Sequence, residues 1–433
     1  MDLNTTIYHI YPLGFCDAPK ENDGKLTHRM TKIQKWIPHL EKLGVTSLYL
    51  GPIFESDRHG YDIRDYNQID VRLGDEKDVK KLCDALHKKK IQVLFDGVFN
   101  HVGRGFFAFQ DVLEKKWDSP YKDWFYIDFS QSQNEDGFTY ANWEGHAELV
   151  KLNLDNEEVV QYLFHAISCW IEDYHIDGLR LDVAYCLNQN FLWKLHHFVK
   201  EKDPHFFLLG EMIGGDYNLL LKDGLLDSVT NYECRKGLYS SMNSKNLFEI
   251  GYSLNRQFGK DPWCLYTNQK LLSFIDNHDV DRIASLLEDK QDLPLLYALL
   301  FAMPGIPCLY YGSEWGQEGM RTPHSDEALR PSFTKPEWND LTSYLASLIS
   351  LRKQNPVFLY GDYQQIYIQN QQLIFKRSYE NTNLLFAVNI DYTAHTAHFD
   401  LYIEKATNLL TGKSQCISHE LELPAKSALF FVY

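Results

Sequence analysis

The sequence predicts a (β/α)8 TIM barrel with a small subdomain inserted after the third strand and a C-terminal antiparallel β-domain. Three observations carry this prediction. Eight short apolar runs alternate with segments of helical period over residues 1–355. The connection over 101–150 is too long and too aromatic for a plain loop. From residue 356 the pattern changes to short alternating runs between polar turns.

The strand-like runs are TIYHIY around Tyr8, VTSLYLG from Val45, IQVLFDG from Ile91 and DGLRLDV from Asp177. They continue with HFFLLGE from His205, LDSVTNY from Leu226, LLSFIDN from Leu271 and IPCLYYG from Ile306. Between them, HRMTKIQKWIPHLEKL, EKDVKKLCDALHKK and NEEVVQYLFHAISCWIEDY repeat apolar residues every three or four positions, the period of an amphipathic helix. Strands this apolar, alternating with helices, belong in a parallel sheet buried on both faces. Eight repeats imply closure into a barrel, with an open doubly wound sheet as the alternative that periodicity leaves standing. Residues 101–150 hold FFAFQDV, YKDWFYIDFS and FTYANWEGH; a structureless loop of that length is rare inside a compact domain, so a subdomain is expected. After LISLRKQNP, the runs YQQIYIQN, QLIFKRSY, NLLFAVNI and SALFFVY read as antiparallel strands, giving a β-sandwich domain over 356–433.

With 433 residues and 44% hydrophobic content, the chain can bury a large core and form more than one folding unit. A net charge of −16 argues against nucleic acid and anionic membrane as partners, since both reward clustered Lys and Arg. The run Lys88-Lys89-Lys90 reads as the solvated end of a helix. A small neutral substrate suits this balance, and 14% aromatic content leaves Tyr and Trp to stack on pyranose rings. The eight cysteines are scattered singly, and several, such as Cys169 and Cys308, fall inside apolar runs and read as buried thiols. MDLNTTIYHIYPLGF has no basic stretch before a long apolar run, and no run reaches membrane-spanning length. A cytoplasmic location is therefore expected, where the acceptor pattern Asn4-Thr5-Thr6 carries no glycan.

The chemistry gathers at strand ends. Asp96 ends the third strand, Asp182 the fourth and Glu211 the fifth, and His278-Asp279 follow the seventh. In a barrel these ends open onto one face, where active sites are built. Any one acid alone reads more readily as a helix cap or surface ion pair; four at one mouth would repel one another without a chemical need. Arg180 and Asp182, two apart on a strand, point the same way. The guanidinium is expected to lower the Asp182 pKa, which suits a nucleophile; a structural ion pair is the competing reading. Glu211 follows the apolar FFLLG, and a dry pocket is expected to raise its pKa, which suits a proton donor. Opposite pressures on two carboxyls are what glycoside hydrolysis needs, and retention places them roughly 5 Å apart.

Four motifs then follow in order: DGVFNH at 96–101, GLRLDVAYC at 178–186, GEM at 210–212 and FIDNHD at 274–279. With IYPLGF near the start, HGYDIRDYNQID at 59–70 and LRKQNP in support, the chain resembles the α-amylase family of glycoside hydrolases (family 13) along nearly its whole length. The resemblance implies Asp182 as nucleophile, Glu211 as acid/base, and Asp279 holding sugar hydroxyls and stabilising the oxocarbenium-like transition state. It implies hydrogen bonds to the sugar from His101 and His278, Arg180 orienting Asp182, Tyr61 stacking beneath the ring, Asp62 completing the contacts and Asp96 supporting from below. Arg330 and Trp315, after the eighth strand, are candidates for shaping the site, each with a structural reading beside it.

LVKLN at 149–153, SVTNY at 228–232 and Val183 resemble the cyclomaltodextrinase, neopullulanase and maltogenic amylase group. That resemblance implies retaining hydrolysis of α-1,4 and also α-1,6 bonds in maltooligosaccharides, cyclodextrins or related α-glucans through a glycosyl-aspartate. Two departures stand out. The sequence begins at the barrel, where that group usually has an N-terminal β-domain that builds its dimer, and Tyr185-Cys186 stands where the group has Asn-Glu. Linkage preference, chain length and oligomeric state are thus not set by the sequence. A transglycosylase or sugar isomerase on the same fold, and a catalytically inactive binding or transport-associated homologue, are the alternatives. No cofactor is expected to be required. Ca2+ is the one candidate, with Asn100 at a ligand position, but the His that often closes the second motif is absent and a hard cation needs several oxygens.

Overall fold

The computed structural model describes residues 6–131, 135–222 and 224–433; Asn4 and Thr5 of the acceptor pattern lie outside them. Among the described residues the barrel strands are β1 (Ile7–Ile10), β2 (Ser47–Leu50), β3 (Gln92–Gly97) and β4 (Gly178–Leu181). They continue as β5 (Phe207–Gly210), β6 (Ser228–Val229), β7 (Leu272–Phe274) and β8 (Ile306–Tyr310). All pair in parallel, in the order β6-β5-β4-β3-β2-β1-β8-β7. A parallel bridge between Thr230 and Leu272 and the bond from Asn231 N–H to Leu272 O (2.9 Å) close the ring. The closed barrel holds and the open sheet is excluded.

Inward side chains Ile7, Leu94, Phe207, Leu272 and Ile306 fill the barrel, with Leu209, Phe274 and Cys308 above them. The outward side chains pack under helices α1 (Thr31–Leu43), α2 (Glu76–Lys88), α3 (Glu157–Tyr174) and α4 (Gln189–Lys202). The sheath continues with α5 (Tyr232–Asn243), α6 (Phe248–Phe258), α7 (Leu293–Ala302) and α8 (Asp340–Gln354). Helix ends follow local chemistry. Asp75 and Asp78 form a reciprocal capping box at the start of α2, and Gly44 ends α1 in the left-handed conformation (φ 92°), which glycine adopts without a Cβ penalty. Between β5 and β6 the only helix among the described residues is the four-residue Asn218–Leu221, so the alternation is thinner there than the sequence suggests.

The segment 101–150 forms a small antiparallel sheet, with His146–Lys151 between His101–Gly103 and Asn142–Trp143. Helix Phe107–Lys115 covers it, packing through Phe106, Phe109, Phe125, Phe138 and Tyr140. The chain returns to the barrel where Leu152 N–H donates to Asn100 O at 3.0 Å.

Beyond α8 come six strands: β9 (Gln364–Ile368), β10 (Gln372–Tyr379), β11 (Thr382–Asn389), β12 (His395–Asn408), β13 (Ser414–Leu423) and β14 (Ser427–Val432). They form one continuous sheet in the order β9-β10-β11-β14-β12-β13. Ile374, Leu385, Ile403, Ile417 and Leu421 share one core, so the sheet folds over on itself. The alternate residues Phe375, Phe386 and Phe430 face the barrel core. The sequence reading contains no strand for β12 or β13. Two irregularities in their pairing, between His398 and Tyr402 and between Ile403 and Ala406, break the two-residue alternation that marks a strand.

Candidate active site

The floor of the site is built by strand register. Asp96 and Arg180 are partners on β3 and β4, and Leu181 pairs with Gly210, which sets Asp182 and Glu211 side by side one residue further on. Adjacent strands lie about 4.8 Å apart, close to the roughly 5 Å spacing of a retaining carboxyl pair. A Cβ on Gly210 would fall 2.4 Å from the end of the Leu226 side chain, so any larger residue immediately before Glu211 would displace Leu226.

Arg180 is the hub. Its Nη1 donates to Asp96 Oδ1 (2.9 Å) and to Asp182 Oδ1 (2.9 Å), and its Nη2 pairs with Glu211 Oε1 (2.8 Å). Glu211 Oε2 accepts from Val183 N–H at 2.9 Å. Val183 holds φ +38°, a left-handed backbone that a β-branched residue rarely adopts, so strain is stored directly after Asp182. From below, Asp96 Oδ2 accepts from Tyr49 (2.5 Å) and Tyr61 (3.2 Å) hydroxyls.

Sharing corrects the expected pKa order. Burial, and after it repulsion from Glu211, Asp96 and Asp279, outweigh Arg180 and raise the Asp182 pKa instead of lowering it. One guanidinium divided among three carboxyls cannot neutralise each of them. The expected surroundings of Glu211 are also incomplete, since an ion pair and a backbone donor join the apolar strand. Asp279 goes the other way: burial opposes its charge, but His278, Arg330 and Arg180 hold it well below the usual carboxylate range. Its Oδ1 takes Arg330 Nη2 at 3.0 Å and its Oδ2 faces His278 Nε2 at 3.0 Å.

His101 is buried, with Nε2 free of protein partners and 3.8 Å from Asp182 Oδ2, while Asn100 Nδ2 lies 3.1 Å from its Nδ1. Burial first lowers its pKa to about 3, so the ring is neutral. His278 lies between the parallel rings of Tyr11 (5.6 Å) and Tyr61 (5.4 Å).

Above this floor opens a cleft of about 540 Å3. It is lined by Tyr61, His101, Asp182, Glu211, Asp279 and Arg330 among the residues expected from sequence. Arg180 and His278 form the layer behind it. Asp62 does not line the cleft: its Oδ1 accepts the N–H groups of His59 (3.0 Å) and Gly60 (3.1 Å), which folds the loop carrying Tyr61. Trp315 is buried against Trp36, His39 and Phe333 and stays structural. The sequence reading missed Trp143, His146, Tyr232, Arg321 and Asp326 in the lining. Trp143 and His146 stack at 5.3 Å on the tip of the inserted subdomain, and aromatic density in FTYANWEGH was the one available signal.

Among the described residues, no cluster of three His, Cys, Asp or Glu side chains surrounds Asn100, the candidate calcium ligand. Asn100 Oδ1 is buried without a protein partner. Among the described residues, however, the only three His, Cys, Asp or Glu side chains with converging ligand atoms are His28, Asp75 and Asp78, at the start of α2. No step is routed through a metal. No helix among the described residues is long and apolar enough to cross a membrane.

Residues 9–342 match the family model described as alpha amylase, catalytic domain. A cyclomaltodextrinase of Bacillus sp is 31% identical over 83% of this chain and 65% of its own length. An intracellular maltogenic amylase of Bacillus subtilis is 30% identical over 82% of this chain and 60% of its own length. The chain thus spans under two thirds of the length of these two relatives. A debranching enzyme of Nostoc punctiforme, soaked with acarbose, superposes with a TM-score of 0.83 at 28% identity over 99% of this chain and 98% of that one. With the family model covering nearly the whole barrel and the four motifs meeting at one cleft, the chain belongs to the α-amylase family.

Proposed function

We propose that the protein hydrolyses α-glucosidic bonds in maltooligosaccharides, cyclodextrins or related α-glucans with retention of configuration. The observation that carries this reading is the buried pair Asp182 and Glu211, on neighbouring strands, sharing the Arg180 guanidinium at the floor of a cleft. In the first step Glu211 gives its proton to the leaving oxygen while an Asp182 oxygen bonds to C1, leaving a glycosyl-aspartate. In the second step Glu211 takes a proton from water, whose oxygen bonds to C1 and frees Asp182.

The electrostatics supply the proton. Asp96, Asp182, Glu211 and Asp279 share two guanidinium groups, Arg180 and Arg330, and Arg330 also pairs with Asp326, so carboxylates outnumber arginines in a mostly buried site. Burial and this excess of negative charge raise the Asp182 pKa, so the site holds a proton. When that proton sits on Glu211, Asp182 is free to attack. Asp279, held ionised, lies where positive charge grows on the sugar. His101 Nε2, neutral and unpaired, is a donor for a sugar hydroxyl.

The reading needs no cofactor. It keeps a cytoplasmic location, supported by the relative named intracellular maltogenic amylase. Incubation with maltotriose, β-cyclodextrin, pullulan, panose and isomaltose tests it. The first-formed products should be short saccharides released as the α-anomer, with α-1,4 links cut. A β-anomer would sink the retaining mechanism, products longer than the substrate would mean transfer instead, and inertness to all five would sink the hydrolase reading.

A further inference from the structure

His9 stands on β1, and neither the motifs nor the proposed chemistry gives it a task. It is 2% exposed and faces into the barrel beside its register neighbours Tyr49 and Tyr310. Its ring stacks on Tyr49 at 4.2 Å and meets His278 edge-on at 5.1 Å. Burial first, with Arg180 nearby, pushes its pKa well below the ordinary imidazole range, so the ring is neutral. No protein group hydrogen-bonds its Nε2.

His278 has a matching orphan. Its Nε2 lies 2.5 Å from the Tyr61 hydroxyl oxygen and 3.0 Å from Asp279 Oδ2; because that hydroxyl donates its own proton to Asp96 Oδ2, Nε2 faces two acceptors and carries the ring proton. In the neutral ring Nδ1 is then an acceptor, and it too lacks a protein partner. Buried polar atoms are rarely left unpaired, because each would keep its desolvation cost. Both rings line one cavity of about 20 Å3, next to Arg180, Glu211 and Asn277. A water needs roughly 10–15 Å3 and at least two polar partners.

We propose that a water held between His9 Nε2 and His278 Nδ1 fixes the His278 tautomer, which makes His9 a positioning residue. The water donates to His278 Nδ1 and so keeps the ring proton on Nε2, toward Asp279 and the sugar. Only the catalytic consequence rests on the proposed hydrolysis; the tautomer is a property of the resting protein.

Imidazole 15N spectra of histidine-labelled protein test this, with His278 assigned by the signals lost in His278→Gln. Wild type should show His278 as a single Nε2–H tautomer with a hydrogen-bonded Nδ1. In His9→Leu that Nδ1 signal should move or the tautomers mix, and kcat on maltotriose should fall about tenfold with little change in KM. His9→Gln, which keeps a polar group facing the cavity, should restore most of both. Unchanged His278 signals in His9→Leu overturn the proposal. A high-resolution crystal structure of the wild type lacking a water within hydrogen-bond distance of both nitrogens does so too, even if His9→Leu does not fold. Inertness of the wild type to every glucan would instead refute the hydrolase reading and leave these two measurements intact.

Discussion

Arg180→Met isolates what one shared guanidinium does for the site. The substitution keeps much of the side-chain volume and removes the cation from Asp96, Asp182 and Glu211, whose carboxyls are all nearly buried. Breaking a buried ion pair costs about 3–5 kcal/mol, because it strands the remaining charge. Arg180 serves three acids, so the upper end of that range applies at pH 7. If the same energy also positions the acids in the transition state, kcat/KM falls by roughly two to four orders of magnitude. Stability is measured by urea unfolding at pH 7 and pH 5, and activity on maltotriose. The pH comparison has a definite sign. Without Arg180 the folded carboxyls bind protons more tightly than unfolded ones, so the deficit against wild type is full at neutral pH. It shrinks as pH falls toward the unfolded carboxylate range near 4. A deficit under 1 kcal/mol at pH 7, or one that grows on acidification, would refute the assignment of Arg180 as the electrostatic hub.

Asp182→Asn should lower turnover on maltotriose by at least about three orders of magnitude, since it removes the covalent route; near wild-type turnover contradicts the nucleophile assignment. Glu211→Gln should be inactive on maltotriose yet regain its first step on a glucoside with an activated leaving group, which needs no proton; equal, deep loss on both substrates means that Glu211 is not the acid. Lys270, whose Nζ donates to Leu359 O at 2.6 Å, has its pKa lowered to about 8 by burial and by Arg377 and Arg352. The unfolded chain then binds the extra proton above that pH, so wild-type stability relative to Lys270→Met should rise from about pH 8 toward pH 9.5, and a flat or falling difference contradicts the burial argument.

Much of the fold was legible because its signals are local. A run such as FLLG, apolar at every position, can only be a strand buried on both faces, and eight of these with helical segments between them leave few closed arrangements. Asp96, Asp182, Glu211 and Asp279 were legible for the same reason: each ends or closely follows a strand, and the barrel places those ends on one face. The C-terminal strands β12 and β13 were not, since their bulges break the alternation that sequence reading depends on.

By itself, the sequence pointed to the eight-strand order, the strand-end acids and the family, and closure of the ring came with the structure. Tertiary structure decided how charge is divided among those acids. Arg180 stands two residues from Asp182 in sequence, but folding buries Asp182 and register brings Asp96 and Glu211 equally close to the guanidinium; burial first, and then the neighbouring acids, reverse the pKa expected for Asp182. Asp62 follows Tyr61 in a motif, yet its carboxylate is consumed by the N–H groups of its own loop. His9 carries no motif signal at all, and only the packed interior shows that its ring and that of His278 line one small cavity, each with an unpaired nitrogen. Electrostatics and hydrogen bonding depend on distances across strands, and residues far apart in sequence set those distances only once the sheet has closed.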